Sequence, residues 1–558
     1  LNEFSREYNS SQMPQKGPTI DIELLRLLNS LTDGMVAAVL IMISILLNII
    51  ALLCLRFIII LTIEEDYKDI GVMKAVGINP KDVKKIYLSK YIFISFAAAL
   101  AGYLLSIFIG RVFSQNIMLY IGTALKTIFE IGLVFAAALS TAVITALFSL
   151  FVLRRMNKVS AVEAMRFGSQ ANSITDKSRF SLYKNKVLPS EVFLGLRDVL
   201  IRYKLYTVLF IVFILSTFII IVPLNFLNTL NSPSLISYMG MAESDIIIDL
   251  RQSDNIRERF ESMKTYLEED EDVQKYAPYV TSKFEIINQE GYAESIFLET
   301  GDFTVFPTDY LKGSTPLLQN EIALSYLSSE EMDKEIGDQV ELIVAGERRE
   351  MIVTGIYQDI TNGGRTAKAN INPNYETASW YNINVDVEGD IQKKLLEFEN
   401  IFDEAKVTDI RGYFTQTFGN TVDQLTLLTT AAVIIALLVT VLITSLFLKM
   451  LIAKDRSQIA VKKAVGISEK KIKTEYLSKA LFILITAIVI GTITANTLGQ
   501  RVVSLALSLI GASQIEFVIN PLQSYLLTPL LMMGLVVLSA LYSIRTIREF
   551  SVADINLE

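Results

Sequence analysis

Two stretches of the sequence, DIGVMKAVGINPKDVKKIYLSK at residues 69–90 and QIAVKKAVGISEKKIKTEYLSK at residues 458–479, are near-copies of each other. A constant offset of 389 residues aligns them without a gap. Self-similarity of this kind indicates a duplicated structural unit. We call residues 64–90 and 454–479 the first and second KAVG segments.

Seven apolar runs surround these segments. They lie at residues 34–56, 91–113, 128–153, 205–224, 427–448, 480–505 and 524–544. Each is long enough to cross about 30 Å of hydrocarbon, which takes about 20 helical residues. Because 51% of the residues are hydrophobic, we predict an α-helical membrane protein with seven visible transmembrane helices in two repeats.

The similarity continues after the third span of each copy. Arg154 and Ser160 in RRMNKVSAVEAM correspond to Arg545 and Ser551 in RTIREFSVADIN, at an offset of 391. Each copy is then a span, a KAVG segment, a second span, an outside loop, a third span and a basic tail. We predict a first repeat of three spans at 34–168 and a second at 427–558.

The distribution of charge predicts the orientation. Lysine and arginine are concentrated at 57–90, 154–204, 449–479 and the C-terminus. Basic loops tend to stay in the cytoplasm, so we expect the KAVG segments and the C-terminus of a multi-pass membrane protein there. The acidic block 225–426 then lies on the extracytoplasmic side.

The two repeats differ in what precedes them. A cytoplasmic linker at 169–204, ending in an amphipathic helix, leads into the span 205–224 and the block 225–426 before the second repeat. Only residues 1–33 precede the first repeat. We expect residues 1–33 to be the end of a first extracytoplasmic region, and the sequence to be incomplete at its N-terminus.

The block 225–426 has the pattern of an α+β domain. Residues 244–250, 339–344 and 349–356 are strand-like, and residues 254–270, 328–336 and 391–405 are helix-like. Gly346 can supply the positive φ that a short hairpin connection needs. We therefore predict that the last two strands pair antiparallel.

Each KAVG segment is predicted to contain two helices broken at a glycine. Gly77 can take the left-handed position after the first helix, and Asn79-Pro80 can cap and begin the next. Ser468 is the expected cap in the second copy. We expect Ile70, Met73 and Val76 to share one face and Lys68 and Lys74 to lie on another.

These residues carry a resemblance to a known family. The KAVG segments resemble the cytoplasmic coupling segment of FtsX/MacB-type ABC transporter permeases. LGLRDVLIRYKLYTVLF at 194–210 resembles the amphipathic approach to the first span of that permease domain. Residues 320–356, including Gly337-Asp338 before a strand, resemble the MacB-like extracytoplasmic domain.

The resemblance implies a permease subunit that couples ATP hydrolysis by a separate ABC ATPase dimer to extracytoplasmic work by mechanotransmission. That work is the export or removal of a peptide, antibiotic or lipid-linked substrate. ATP and Mg are expected in the ATPase, with no cofactor in this chain. Membrane lipid and an extracytoplasmic accessory or substrate protein are the other expected partners, with no nucleic acid, and one copy of this chain is expected per ATPase dimer.

The resemblance places the ATPase contact on the KAVG segments. The expected contact residues are Asp69, Met73, Lys74, Gly77, Gln458, Lys462, Lys463 and Gly466. The alternative is a juxtamembrane helix whose lysines meet anionic lipid head groups. Separately, four glycines that recur eight residues apart predict close helix packing, with a hinge as the alternative. They are Gly102, Gly110, Gly491 and Gly499.

Two absences from the sequence restrict its chemistry. There is no histidine, which excludes Ser-His-Asp and Cys-His catalysis and HExxH zinc sites. There is no GxxxxGK[ST] phosphate-binding loop either. We predict no catalytic or metal site, and thus not an enzyme.

Two alternative functions stay open. One is a non-transporting signalling or scaffold complex that controls a cell-wall hydrolase or sensor. The other is a secondary transporter, although the spans carry few of the mid-membrane charges that such a transporter needs.

Overall fold

The computed structural model describes residues 22–120, 128–158, 188–250, 255–288, 291–344, 346–375, 377–402, 405–508, 511, 513–545 and 547. The chain forms two compact units. The sheet unit comprises the described residues of Leu1–Val39, Asn225–Thr426 and Leu498–Ile519. The helical unit comprises those of Leu40–Leu224, Leu427–Thr497 and Asn520–Glu558.

Helices dominate the described residues. In chain order they are α1 (Ile22–Glu65), α2 (Tyr67–Ala75), α3 (Pro80–Tyr120), α4 (Ile128–Leu153), α5 (Ser190–Ile201), α6 (Tyr203–Leu230), α7 (Ile256–Glu269), α8 (Tyr326–Met332), α9 (Ile391–Ile401), α10 (Ile410–Lys454), α11 (Arg456–Ala464), α12 (Glu469–Thr494), α13 (Gln500–Ser508) and α14 (Thr528–Ile544). Shorter helical turns lie at Arg154–Lys158, Pro233–Tyr238, Thr361–Gly364, Ala495–Gly499 and Leu522–Leu527.

Seven helical stretches of the described chain are long and apolar enough to cross a membrane. They are Gly34–Glu65, Pro80–Gly110, Ile131–Asn157, Tyr203–Leu230, Gly419–Lys454, Glu469–Ser508 and Leu522–Ile544. The predicted number of spans is confirmed. Several helices extend beyond the predicted apolar runs because their polar ends remain helical.

In the helical unit, the first repeat packs around one apolar cluster. Ile59, Ile63, Ile70, Tyr91 and Leu153 lie in it, so that α1, α2, α3 and α4 meet at one place. The two repeats also contact each other through aromatic rings. The ring centroids of Phe57 in α1 and Phe447 in α10 are 5.6 Å apart.

The sheet unit contains a mixed ten-stranded sheet. Its strands are β1 (Ile246–Leu250), β2 (Val273–Ile287), β3 (Ala293–Thr300), β4 (Tyr310–Gly313), β5 (Glu321–Ser325), β6 (Gln339–Val344), β7 (Glu347–Tyr357), β8 (Thr366–Ala369), β9 (Ala378–Val387) and β10 (Ala405–Asp409). They are ordered β10-β1-β9-β2-β3-β8-β5-β7-β4, and β6 pairs with β2 and β7. The α+β character is confirmed.

The predicted hairpin is confirmed as well. β6 and β7 pair antiparallel, from Gln339 opposite Ile352 to Val344 opposite Glu347. Gly346 in the connection has φ +83°. A non-glycine residue rarely adopts this conformation, so the glycine permits the tight connection.

Two predicted helices end earlier than expected. The helix predicted at 328–336 is α8, and Asp333 closes it in the left-handed region at φ +49°. The helix predicted at 391–405 is α9, which stops at Ile401 because Ala405 already pairs with Leu250 of β1. Pairing with a distant strand overrides the local helical pattern.

Two apolar cores stabilise the sheet unit. One lies between α7, α9 and the strands β1, β9 and β10, and it includes the fully buried Ile383 and Phe398. The other lies among β3, β5, β6, β7 and β8, and it includes Leu298, Leu342 and Val353.

Candidate functional site

The first KAVG segment turns at its glycine, as predicted. Gly77 follows α2 with φ +94°. The Ile78 amide donates to the carbonyl of Met73 at 3.1 Å, and the Gly77 amide donates to that of Lys74 at 3.2 Å. These two bonds form a Schellman motif, which satisfies the last carbonyls of a helix and requires a left-handed residue.

The next helix begins where the sequence predicts. Asn79 caps α3, its side-chain oxygen accepting from the amide of Lys81 at 3.0 Å, and Pro80 is the first helical residue. The second copy differs in one respect. Ser468 occupies the cap position, but its side chain makes no capping hydrogen bond, so α12 begins without the predicted side-chain cap.

The second KAVG segment repeats the turn. Gly466 has φ +88°. The Ile467 amide donates to Lys462 and the Gly466 amide to Lys463, both at 3.0 Å. The two segments thus have the same backbone shape.

The lysine of each KAVG motif is bound within its own repeat. Lys74 Nζ donates to the carbonyl oxygen of Met156 at 2.7 Å, and Lys463 Nζ donates to that of Ile547 at 2.8 Å. Met156 and Ile547 correspond under the offset that relates the third spans. Burial lowers the pKa of Lys74. The two lysines, predicted as partner contacts, therefore tie each segment to the end of its third helix.

A second hydrogen bond holds the start of each KAVG segment in place. Tyr87 donates to Asp66 at 2.8 Å, and Tyr476 donates to Asp455 at 3.0 Å. Asp66 and Asp455 are related by the same offset as the tyrosines. The repeated tyrosine of YLSK is visible in the sequence. Each aspartate lies before the near-identical stretches, so the sequence gave no reason to pair it with the tyrosine.

Each segment presents an apolar surface to its surroundings at the turn. Val72, Val76 and Ile78 are 51%, 78% and 39% exposed. Their counterparts Val461, Val465 and Ile467 are 48%, 77% and 37% exposed. We call these two triplets the first and second apolar tips. Helical spacing predicted that Val76 shares the face of Ile70, and this prediction is wrong. Ile70 is buried and Val76 is exposed, because Val76 is the last residue before the chain turns at Gly77.

The remaining predicted contact residues divide by accessibility. Asp69, Gln458, Gly77 and Gly466 are exposed on the same segments as the tips. Met73 is half-buried. Lys462, also half-buried, lies 2.7 Å from Glu475 in an ion pair.

The four glycines of the predicted packing stripe have different surroundings. A Cβ added at Gly491 would lie 2.8 Å from the Cβ of Thr217, so α12 and α6 pack closely there. A Cβ at Gly102 or Gly110 would meet no atom of the described residues within 4 Å. Gly499 is buried in the turn Ala495–Gly499.

A buried charge network that the sequence did not predict links the second repeat to Asp198 and Arg202. Lys479 is 2% exposed. Its Nζ lies 2.9 Å from Asp198 and 3.4 Å from Glu475. Arg202 bridges Asp198 at 3.3 Å and Asp455 at 3.1 Å. Burial alone would raise the pKa of Asp198, but Lys479 and Arg202 outweigh it, so this pKa lies below its usual value.

In the sheet unit, the segment after α13 is bound by a side-chain clamp. Gln358 Nε2 donates to the carbonyl of Gln514 at 2.9 Å, and the Gln514 amide donates back to Gln358 Oε1 at 2.9 Å. The Val518 amide donates to Thr229 Oγ1 of α6 at 2.9 Å. We call the Gln358–Gln514 pair the glutamine clamp.

A buried carboxylate lies next to this clamp. Asp359 is 5% exposed. One of its oxygens accepts from the amide and hydroxyl of Thr361 at 2.7 and 2.6 Å, and the other accepts from Thr366 at 2.6 Å. Burial raises the pKa of Asp359 to about 6. A Cβ on Gly511 would lie 2.2 Å from the Asp359 carbonyl oxygen, so only glycine fits there.

Comparison with known proteins explains the duplication. The family model for the C-terminal domain of FtsX-like permeases matches residues 41–161 and again residues 430–552. Two regions of the chain are therefore similar to FtsX-like permeases. Each match contains one complete KAVG segment, and the resemblance inferred from the sequence is confirmed. The match and the seven span-length helices of the described residues indicate a multi-pass membrane protein.

Solved structures of single domains match part of the chain. The periplasmic region of MacB from Actinobacillus actinomycetemcomitans is 12% identical, with a TM-score of 0.23, and the match covers 32% of this chain and 95% of that chain. The extracellular domain of the ABC-type transporter YknZ from Gram-positive bacteria is 13% identical, with a TM-score of 0.22. That match covers 30% of this chain and 100% of the YknZ domain. A search of curated proteins finds no match.

Proposed function

We propose that this permease is the membrane subunit of an ABC-type machine in which a separate ATPase dimer binds the two apolar tips from the cytoplasm. ATP-driven closure of the dimer would move both KAVG segments, and the helices would pass that motion to the extracytoplasmic domain. The work done there is export or removal of a peptide, antibiotic or lipid-linked substrate.

The observation that carries the proposal is the exposure of the two tips. Val76 and Val465 are the most exposed residues of the tips, at 78% and 77%. Apolar side chains grouped outside a membrane mark a binding surface for a partner. Two equivalent tips on one chain fit a partner that is itself a dimer, with one subunit for each tip.

The attachment of the segments supports a lever. The hydrogen bond from Lys74 connects the first KAVG segment to Met156, and the bond from Tyr87 to Asp66 joins the two ends of the segment. A force on the tip would therefore act on the helices and not only on the turn. α6 continues from the helical unit into the sheet unit, and α10 continues from the sheet unit into the helical unit.

A test replaces the tips' central valines. Val76→Asp with Val465→Asp is expected to abolish co-purification with the ATPase and the stimulation of its hydrolysis by the permease, because a charge would enter an apolar contact. Leu396→Asp is the matched control, since Leu396 is a similarly exposed apolar residue, at 58%, of α9. Normal assembly and stimulation with both tips charged would reject the proposal.

A further inference from the structure

The two KAVG segments share a backbone shape and an apolar tip, but they differ in the charges on their surfaces. At four pairs of equivalent positions, at least one member is charged and both members are exposed. Because both members are exposed, the comparison is between two surfaces and not between a surface and a core. The pairs are Glu65 and Lys454, Asp69 and Gln458, Lys81 and Lys470, and Asp82 and Lys471.

The charges at these positions are of opposite sign in the two segments. The first segment carries a carboxylate at three of the four positions, and the second carries none. The second carries a lysine at three of them, and the neutral Gln458 at the other. Lys81 and Lys470 form the one pair in which both segments carry the same charge.

The contrast reaches the apolar tips. Asp69 lies three residues before Val72 of the first tip on α2, so the two are neighbours on the helix surface. Asp82 lies in the first turn of α3, directly after the turn of the chain that presents Ile78. A partner that covers the tip therefore also meets these two carboxylates. We call Asp69 with Asp82 the first rim, and their counterparts Gln458 with Lys471 the second rim.

Helix stability does not account for the charge of the second rim. Lys471 lies in the first turn of α12, where the helix dipole disfavours a cation. It makes no ion pair within the described part of the chain, whereas Asp82 in the first rim lies 3.0 Å from Lys85. The second rim thus presents an uncompensated positive charge where the first rim presents a paired carboxylate.

The charge that both segments share indicates the charge of the partner. A groove that accepts either tip faces a lysine in both cases, Lys81 or Lys470, and carboxylates in the groove would complement it. Against such a groove the second tip gains a further attraction from Lys471. The first tip instead brings Asp69 and Asp82 toward like charges, which opposes binding.

We propose that the ATPase dimer binds the two tips unequally, through grooves lined by carboxylates. The second tip forms the tight contact, which forms quickly by electrostatic attraction, and the first tip forms a weaker contact that depends on its apolar side chains. This inference rests on the proposed function, because it takes the ATPase as the partner of both tips. It adds the charge of the ATPase surface and the order in which the two tips engage it.

A binding experiment with one intact tip at a time tests this. Val76→Asp leaves only the second tip intact, and Val465→Asp leaves only the first. Each full-length variant is placed in phosphatidylcholine nanodiscs, so that anionic lipid does not compete for the lysines. The probe is the ATPase that co-purifies with the unaltered chain, identified by mass spectrometry and produced separately. Its association rate and Kd are measured at low and at high salt.

The two variants are expected to differ in rate and in salt dependence. At about 0.05 M salt the second tip alone is expected to associate roughly tenfold faster than the first tip alone. At about 0.5 M salt the charges are screened, and the difference is expected to fall to about twofold. Equal rates at both salt concentrations, or a faster first tip, would overturn the proposal.

A charge exchange at one pair of equivalent positions gives the decisive comparison. Asp82→Lys, added to the chain with only the first tip, is expected to raise the association rate roughly tenfold. Lys471→Asp, added to the chain with only the second tip, is expected to lower it by a similar factor. A gain in rate cannot come from misfolding. Glu388→Lys, at an exposed position of the sheet unit, is the control and should leave both rates unchanged.

Failure of this inference is distinguishable from failure of the proposed function. Rates that ignore the exchange at residues 82 and 471 would overturn the inference, yet the proposed function would stand as long as each tip alone still binds. Binding that persists in Val76→Asp with Val465→Asp would instead reject the proposed function, and the inference with it.

Discussion

The ammonium group of Lys74 donates a hydrogen bond of 2.7 Å to the carbonyl oxygen of Met156, 82 residues away. This bond connects the first KAVG segment to the end of α4, the third span of its repeat. A lysine in a basic segment next to a membrane would ordinarily be assigned to lipid head groups. Here it has a structural partner, and the same bond recurs between Lys463 and Ile547.

Removing this bond should loosen the first KAVG segment without unfolding the repeat. Lys74→Met keeps the aliphatic length and loses the donor, and one lost hydrogen bond to a charged group is worth about 1.5–3 kcal/mol. We expect amide hydrogen exchange at residues 70–78 to accelerate at least tenfold. Lys68→Met, at an exposed position of the same helix, should leave exchange unchanged. Equal effects of the two variants would contradict the structural role of Lys74.

The left-handed glycine of each segment should resist even a small side chain. A Cβ at Gly77 would meet no described atom within 4 Å, so the cost of Gly77→Ala is a backbone cost, about 1 kcal/mol at φ +94°. We expect faster hydrogen exchange at the amide of position 77 and at the amide of Ile78. Gly132→Ala adds the same methyl in a helix with open space around it, and it should be neutral or stabilising. Unchanged hydrogen exchange in the Gly77→Ala variant would contradict the left-handed turn at this residue.

Asp359 should make the stability of the sheet unit depend on pH. Its folded pKa is raised from 3.8 to about 6, so the folded state binds the proton more tightly than the unfolded state. The resulting stabilisation is fully present below about pH 4 and is lost as pH rises through 6. It amounts to about 3 kcal/mol at most.

The measurement uses Trp380, the single tryptophan of the sequence, which lies in β9. Urea unfolding followed by its fluorescence should show Asp359→Asn gaining stability relative to the native permease between pH 4 and pH 7. The gain should approach the same 3 kcal/mol. A difference between the two proteins that stays constant over this range would show that Asp359 does not titrate there.

The glutamine clamp should hold the segment after α13. Gln358→Ala removes two hydrogen bonds, each worth about 1 kcal/mol net. We expect exchange at the Gln514 amide to rise about tenfold or more. Gln392→Ala removes a hydrogen bond to Asp409 elsewhere in the sheet unit and should not affect that amide. Unchanged exchange after Gln358→Ala would mean that the clamp does not stabilise the segment.

The sequence predicted the features that are local or repeated. The turn at Gly77 and the hairpin at Gly346 followed from residues whose φ is positive, and the spans followed from their length. It did not predict the partners of Lys74 or Lys479, because Met156 and Asp198 are distant in the chain and a carbonyl oxygen carries no residue signature. Val76 was misplaced since helical spacing no longer applies where the helix ends.

The central claim is that the two apolar tips are moved by an ATPase, and the distance between them tests it most directly. Spin labels at Val76→Cys and Val465→Cys, in a Cys54→Ser background, would report that distance by pulsed electron resonance in the complex with the ATPase. We predict one distance without nucleotide and a clearly different one when the ATPase is trapped in its ATP-bound state. An identical distance distribution in both states would contradict the lever.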